Sequence, residues 1–359
     1  MKFRFQGFIA LTCFLPLSAP FLSACDLKPD EELVFFGSYG WLDRKAGEWN
    51  VAVHGWIYEP EEDSAVTGAL SKAFGKMLGL KKEDLASPVY VERSRRFFVD
   101  NERGKTLSVE IAGFGPFKLA RSAPNGHMRD VIRIKDGVPA VSGGTVKVRT
   151  LCAQGHGAVE GEISLIGPEG LSVVSDIDDT IKISEVRDRK ALAVNTFVKP
   201  FAAAPGMAGL YARLEKKGAR FHYVSASPWQ LYAPLTRFTV ESGFPGGTLE
   251  LKTFRWKDRT FFSLFQRPEE YKIPVISKLI ETFPGRKFIL IGDSGEKDPE
   301  IYGAIARKFP GNVSMILIRD VTGEKADAPR FLAAFKNLPG TLWRIFEDPD
   351  GIDIGEMKL

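Results

Sequence analysis

The spacing of apolar and polar positions changes character near the middle of the chain. From Val34 to about Gly167 it has mainly period two. Thr106-Leu107-Ser108-Val109-Glu110-Ile111 alternates cleanly, as does Thr145-Val146-Lys147-Val148, and Trp49 to Tyr58 alternates in part. Alternation sends successive side chains to opposite faces, so these segments predict strands with one buried face. One stretch, about Ser64 to Leu78, follows helical spacing instead. The expectation is a β-rich N-terminal domain over 34–167 with an inserted helix.

The second half alternates strand with helix. Leu171 to Ser175 predicts a buried strand, and Gly206 to Lys217 a helix ending at Gly218. A strand at Arg220–Val224, a helix from Trp229 to about Ser242 and a strand at Leu249–Phe254 follow. A helix is predicted to begin near Pro274, where the missing N–H costs nothing. The strand Lys287–Ile291, a helix Pro299–Lys308 and the strand Val313–Ile318 complete the series. Such repetition predicts an α/β domain with a parallel, doubly wound sheet over 168–322, and ligands bind such sheets at the carboxyl ends of the strands. Residues 323–359 are expected to pack on it as an extension.

Composition changes little in this picture. The chain has 359 residues, 44% of them hydrophobic, and a formal net charge of +4. Two of the cations, Lys2 and Arg4, lie at the N-terminus, so the rest is near neutral and lacks the basic footprint of a nucleic-acid binder. Lys2 and Arg4 precede a mostly apolar run, Phe8 to Leu22, of signal-peptide length, interrupted by Pro16 and Pro20. The run ends in Leu22-Ser23-Ala24-Cys25, which resembles a bacterial lipobox. The expectation is a signal peptide over 1–24, acylation of Cys25 and a polar tether over 25–33, giving a membrane-anchored lipoprotein of the bacterial cell envelope; a plain secretory signal is the alternative. Only Cys13, Cys25 and Cys152 exist. With Cys13 removed and Cys25 acylated, no intramolecular disulfide is expected, and Cys152 reads as a small buried apolar residue.

The chemistry gathers at the predicted strand ends. The first strand runs into Asp176-Ile177-Asp178-Asp179-Thr180. Two neighbouring carboxylates either share a cation or see one pKa rise. Magnesium takes oxygen ligands, a carboxylate can attack phosphorus, and a protonated carboxyl can serve a leaving alkoxide. An EF-hand is excluded because the required Gly and Glu positions are absent. The second strand ends in Ser225-Ala226-Ser227-Pro228: Ser225 is placed to bond a phosphate oxygen, while Ser227 before Pro228 reads as a helix cap. The fourth ends in Gly292-Asp293-Ser294-Gly295-Glu296-Lys297-Asp298-Pro299. Asp293 is expected beside Asp176 as a metal ligand. Asp298 either touches the metal or its waters, or starts the helix that follows. Lys272 is favoured over Lys278 as the cation facing the phosphate.

Asp176-x-Asp178-x-Thr180, Ser225, Lys272 and Gly292-Asp293-x4-Asp298 resemble, in order, the four motifs of the haloacid-dehalogenase (HAD) superfamily. The longer strings 175–182, 223–229 and 292–302 resemble more specifically the catalytic domain of the phosphatidate phosphatase family known from fungi, over about 165–320. Asn195-Thr196-Phe197 and Pro205-Gly206-Met207 also fit it. The resemblance implies a HAD-like fold and a Mg2+-dependent phosphomonoesterase. Asp176 is then the nucleophile and Asp178 the acid and base. The ion is held by Asp176, Asp293 and the Asp178 carbonyl, Asp298 remains open as a contributor, and Thr180 shapes the turn. Phosphatidate at a membrane surface, or a soluble periplasmic phosphoester, would be the substrate; a non-enzymatic surface lipoprotein that uses a HAD-like scaffold for binding is the other alternative. The family's fungal member is cytosolic, so the lipobox is a departure. Residues 181–204 could form a small flap. Lys252 to Arg267 mixes basic and aromatic residues, which fits either packing at the sheet edge or contact with anionic lipid. The four His residues lack zinc spacing, and neither a Gly-x-Ser-x-Gly elbow nor a P-loop is present.

Overall fold

The computed structural model describes residues 25–61, 65–135, 144–152, 157–253 and 268–355. The leader, and nearly all of the 252–267 loop, lie outside the described residues.

Among the described residues, the N-terminal half forms a nine-stranded sheet. Its strands are β1 (Glu32–Phe35), β2 (Ser38–Asp43), β3 (Glu48–Glu59), β4 (Asp100–Asn101), β5 (Ser108–Ile111), β6 (Phe114–Lys118), β7 (His127–Lys135), β8 (Thr145–Thr150) and β9 (Glu160–Ile166). The order is β1-β3-β2-β9-β8-β5-β6, with β4 and β7 also paired to β3. The alternating residues do what their period demands: Val51, Val53, Val109, Ile111, Val146 and Val148 share one core. Between β3 and β4 the chain makes a helical excursion, α1 (Ala65–Met77) and α2 (Pro88–Arg95).

The second half builds a six-stranded sheet in the order β12-β11-β10-β13-β14-β15, parallel throughout. The strands are β10 (Glu169–Ser175), β11 (Arg220–Pro228), β12 (Gly247–Lys252), β13 (Gly285–Asp293), β14 (Val313–Arg319) and β15 (Trp343–Phe346). The helices are α3 (Arg189–Phe197), α4 (Met207–Lys216), α5 (Tyr232–Glu241), α6 (Pro268–Thr282), α7 (Asp298–Lys308) and α8 (Pro329–Ala334). Strands buried on both faces read as continuous apolar runs. In β13, Ile289 and Ile291 join the core with Leu210, Leu214 and Leu235, while Phe288 and Leu290 meet Ile276, Leu279 and Ile305 on the other face. The C-terminal stretch contributes β15, an edge strand paired to β14.

Two boundaries differ from the sequence expectation. Helix α6 starts at Pro268 rather than near Pro274, which lies inside the helix. Proline at the first position and the acidic Glu269 and Glu270 in the first turn favour this start. Lys272 therefore stands on the helix, two residues before its internal proline. Strand β11 continues through Pro228, and a short 3-10 turn, Trp229–Leu231, precedes α5. Ser227 makes no capping bond and faces the site instead.

The two sheets are joined by an aromatic seam. Phe36 packs edge-on against Tyr232 at 4.6 Å, and His127 against Trp229 at 4.4 Å between ring centres. Tyr39 meets Phe283 at 5.5 Å, and the Gly37 N–H donates to the Tyr232 hydroxyl at 2.6 Å. Trp229 follows Ser227 and Pro228 directly, so the N-terminal sheet buttresses the end of β11.

The cysteine expectation is corrected. Cys25 and Cys152 form a disulfide spanning 127 residues. The sulfur of Cys25 is thereby used, and one sulfur cannot carry both a disulfide and a thioether-linked lipid, which overturns the acylated Cys25. Cys152 is a bridging residue rather than a solitary apolar one. The supposed tether is also packed: the Asp26 N–H donates to the Thr106 carbonyl at 3.0 Å, the Asp26 carboxylate accepts from Thr106, and Glu31 is buried against Lys105. Spacing in sequence could not reveal that a terminal segment and a loop after β8 meet in space.

A disulfide closing so long a loop restrains the unfolded chain strongly. Cys152→Ala is expected to lower the unfolding free energy by about 2–4 kcal/mol, read from denaturant midpoints. An unchanged midpoint, with both native thiols open to alkylation, would refute the bridge.

Candidate active site

The site stands at the carboxyl ends of β10, β11 and β13. Strand β10 lies between the other two, pairing Ser175 with Tyr223 and with Ile291. The chain after Ser175 therefore emerges between Ser225 and Asp293. It turns at once. Asp179 adopts a left-handed conformation, φ 55°, which Asp tolerates better than most residues. Its carboxylate accepts the N–H groups of Ser184, Glu185 and Val186 at 2.7–2.8 Å, and Arg319 donates to its carbonyl at 2.7 Å. Asp179 thus folds the loop that follows and stays out of the chemistry.

Because the strand ends at Ser175, Asp176 and Asp178 face different partners. Asp176 is almost fully buried. Its Oδ1 lies 2.7 Å from the Lys272 ammonium, and its Oδ2 accepts from Thr180 Oγ1 at 3.0 Å. Lys272 also meets Asp298 at 2.6 Å and Glu296 at 3.4 Å. Asp298 Oδ2 accepts the Asp293 N–H at 3.3 Å. A Cβ at Gly292 would collide with that carboxylate, which is why this position is glycine. Asp293 Oδ1 accepts the N–H groups of Gly295 and Glu296 at 2.6 and 3.0 Å.

These contacts leave the acids short of partners, and Asp176 Oδ1 has only the Lys272 ion pair. Asp293 Oδ2 is buried without a hydrogen-bond partner, and carboxylate oxygens of Asp176, Asp293 and Glu296 lie within 4.8 Å of one another. Burial and the neighbouring acids push Asp176 and Asp293 well above the ordinary carboxylate range. Burial raises Glu296 to about 7, against the pull of Lys272. Burial opposes the charge on Lys272, yet Asp176, Asp298 and Glu296 outweigh it and hold the ammonium firmly protonated. One cation cannot balance four acids, so the group ionises fully only if a further positive charge joins it. An all-oxygen donor set of this kind fits a hard divalent cation.

Asp178 has separate partners. The Lys182 ammonium is 2.8 Å away, and hydroxyls of Ser184, Ser225 and Ser227 donate to it at 2.7, 3.2 and 2.9 Å. Burial alone would raise its pKa, but Lys182 and the hydroxyls prevail and hold it at about 2. Lys182 is itself buried, bonded to Ser184, with Phe201 beneath it at 4.9 Å.

The structure thus brings Asp176, Asp293, Thr180 and Lys272 together, with Lys272 the lysine that meets Asp176. Ser225 stands against Asp178 rather than beside Asp176. Asp298 spends its carboxylate on Lys272 and the Asp293 amide, outside the three-acid group. Ser227 is a site residue, correcting its reading as a helix cap. Sequence reasoning also missed Glu296 and Lys182. Both lie inside recognised strings, and Lys182 follows Asp178 at a four-residue spacing that could have flagged it.

Residues 171–320 match the family described as "Phosphatidate phosphatase APP1, catalytic domain". The match covers less than half of the chain. The chain is 34% identical to the Saccharomyces cerevisiae protein named phosphatidate phosphatase APP1 over 168 residues, 46% of this chain and 28% of that protein. It is 29% identical to an uncharacterised Schizosaccharomyces pombe protein over 167 residues, 45% of this chain and 27% of the relative. The alignments therefore span little more than a quarter of either relative.

Two predictions follow from the charges. A carboxylate whose folded pKa is raised, such as Glu296, costs stability as pH climbs from its unfolded value of 4.5 through about 7. A bound divalent cation removes that cost. Mg2+ is therefore expected to raise the melting temperature over EDTA, and more at about pH 8 than at about pH 5; equal melting curves would argue against the cation site. Asp178 behaves oppositely: its depressed pKa adds stability above 3.8 that is lost as pH falls toward about 2. Lys182→Met should remove this contribution and cost about 3–5 kcal/mol, measured by unfolding at neutral pH.

Proposed function

We propose that the protein is a Mg2+-dependent phosphatase acting on a phosphomonoester through an aspartyl-phosphate on Asp176, with phosphatidate as the preferred substrate and diacylglycerol as product. The observation that carries this reading is the convergence of Asp176, Asp293 and Glu296 at the strand ends, with Lys272 bonded to the first of them. The strand order and the helices on both faces support a HAD-like doubly wound fold.

An Asp176 oxygen attacks phosphorus, and the ester oxygen departs with a proton from Asp178. Water then cleaves the acyl phosphate, giving a proton back to Asp178 and releasing inorganic phosphate and free Asp176. In the resting site Lys182 keeps Asp178 ionised, as its second role requires. An arriving phosphate dianion beside it raises its pKa toward the first role. Lys272 fixes the attacking carboxylate, and Ser225 and Ser227 orient Asp178. Asp176, Asp293, Glu296 and the Asp178 carbonyl would hold the cation, which supplies charge neutralisation at the transferring phosphoryl group.

A cavity of about 90 Å3 opens on Asp178 and Ser227. Its walls are largely apolar, with Val186, Leu192, Phe197, Ala226, Pro228 and Pro268 among the lining residues. An apolar wall beside the leaving-group acid favours an ester whose alcohol carries hydrocarbon. The Cys25–Cys152 bridge supports an oxidising compartment, hence an exported, extracytoplasmic protein.

The test is phosphate release from phosphatidate in mixed micelles, run beside sugar phosphates and nucleotides. The expected result is Mg2+-dependent turnover of phosphatidate, lost in EDTA and reduced at least about a thousandfold in Asp176→Asn with folding intact. Faster turnover of soluble esters would reassign the substrate. Activity retained in Asp176→Asn would remove the nucleophile.

A further inference from the structure

The excursion formed by α1 and α2 is unlike the rest of the surface. Among the described residues seven large hydrophobic side chains are exposed, and four of them lie here: Val66 (68% exposed), Leu70 (36%), Met77 (37%) and Val91 (39%). In α1 the three fall at i, i+4 and i+11, which at 3.6 residues per turn confines them to an arc of roughly 40°. They are not the packing face. That face carries Thr67, Phe74 and Gly75. The bare residues border that face: Phe74 lies about 40° round the helix from Leu70, so the apolar surface of α1 runs out past its packed edge.

Charge says what covers the bare side. Residues 65–96 carry seven basic and three acidic side chains, an excess as large as the +4 of the whole chain. Lys72 and Lys76 are exposed and lie together on one side of the apolar stripe, about 80–120° round the helix from Val66. A cleft of about 600 Å3 between the two helices is lined by Lys72, Lys82 and Arg95 together with hydroxyls of Ser71 and Ser94. An apolar stripe bordered by lysines is the surface that lies into the headgroup layer of an anionic bilayer.

The excursion is also fastened to the wall of the active-site cavity. Arg93 donates to the carbonyls of Thr196 and Lys199 at 2.6 and 2.9 Å, and Ser87 to that of Val198 at 3.0 Å. Thr196 lines the cavity on Asp178.

We propose that the α1–α2 excursion is a docking surface for an anionic phospholipid bilayer. Val66, Leu70, Met77 and Val91 enter the interface, and Lys72, Lys76 and Lys82 face the lipid phosphates. Binding at this surface requires neither turnover nor an acyl group on Cys25, so it stands or falls apart from the catalytic reading.

The experiment is co-sedimentation of the intact, disulfide-bonded protein with phosphatidylcholine vesicles, with and without about one third phosphatidylserine. The expected result is binding that requires phosphatidylserine and weakens with salt. Two double variants, Leu70→Ser with Met77→Ser and Lys72→Glu with Lys76→Glu, should each bind at least about tenfold more weakly at unchanged melting temperature. Leu70 and Met77 are about a third exposed and the two lysines more freely so, and the lysine pair therefore tests the surface without disturbing apolar packing. Equal partition of the parent and both variants, or binding indifferent to phosphatidylserine, would overturn the proposal.

Discussion

A buried ammonium makes the acidic centre possible. Carboxylates gathered away from water repel one another and resist ionisation. Lys272, fully enclosed, touches three of them and offsets part of that cost. Its place depends on α6 starting early enough to carry it beneath the strand ends. It depends equally on Gly292, whose missing side chain lets Asp298 reach inward. Arg330 steadies the same loop from α8, donating to the Ser294 and Glu296 carbonyls. The cation and the acids are mutually required, so replacing one member disturbs the others.

The second acidic position is insulated from this cluster. Asp178 lies two residues from Asp176, yet Lys182 and three hydroxyls give it an independent electrostatic setting. Two carboxylates two residues apart thus carry opposed pKa shifts, Asp176 raised by burial and Asp178 lowered by Lys182 and the hydroxyls, a separation that the proposed division of acid and nucleophile would use. The left-handed Asp179 turns the chain after them, and its carboxylate holds the segment that carries Ser184.

Much of this was legible in the sequence, and the losses have physical causes. Period-two and helical spacing located most elements, because burial on one face or both leaves a direct trace in hydropathy. The inward-facing Asp176 and Asp293 were readable as strand-end acids. Helix α6 was misplaced because Pro274 was read as a start, although a helix can carry an interior proline when the rest of it is well packed. Ser227 was misread because Ser-Pro fits a cap as well as a strand end. Glu296 and Lys182 act through tertiary proximity that local pattern does not encode. The disulfide was missed for a related reason: a lipobox-like tetrapeptide assigned Cys25 by local motif, whereas its partner lies 127 residues away.

The aromatic seam has a consequence for the boundary of the catalytic module. Family similarity begins at residue 171, yet Phe36, Trp56 and Phe74 belong to the same continuous core as Phe221, Trp229 and Leu235. What is inherited as a recognisable piece is therefore smaller than what folds as one body. A fragment trimmed to the matched residues 171–320 would bare the ring faces of Trp229 and Tyr232 and loosen the segment holding Ser225 and Ser227.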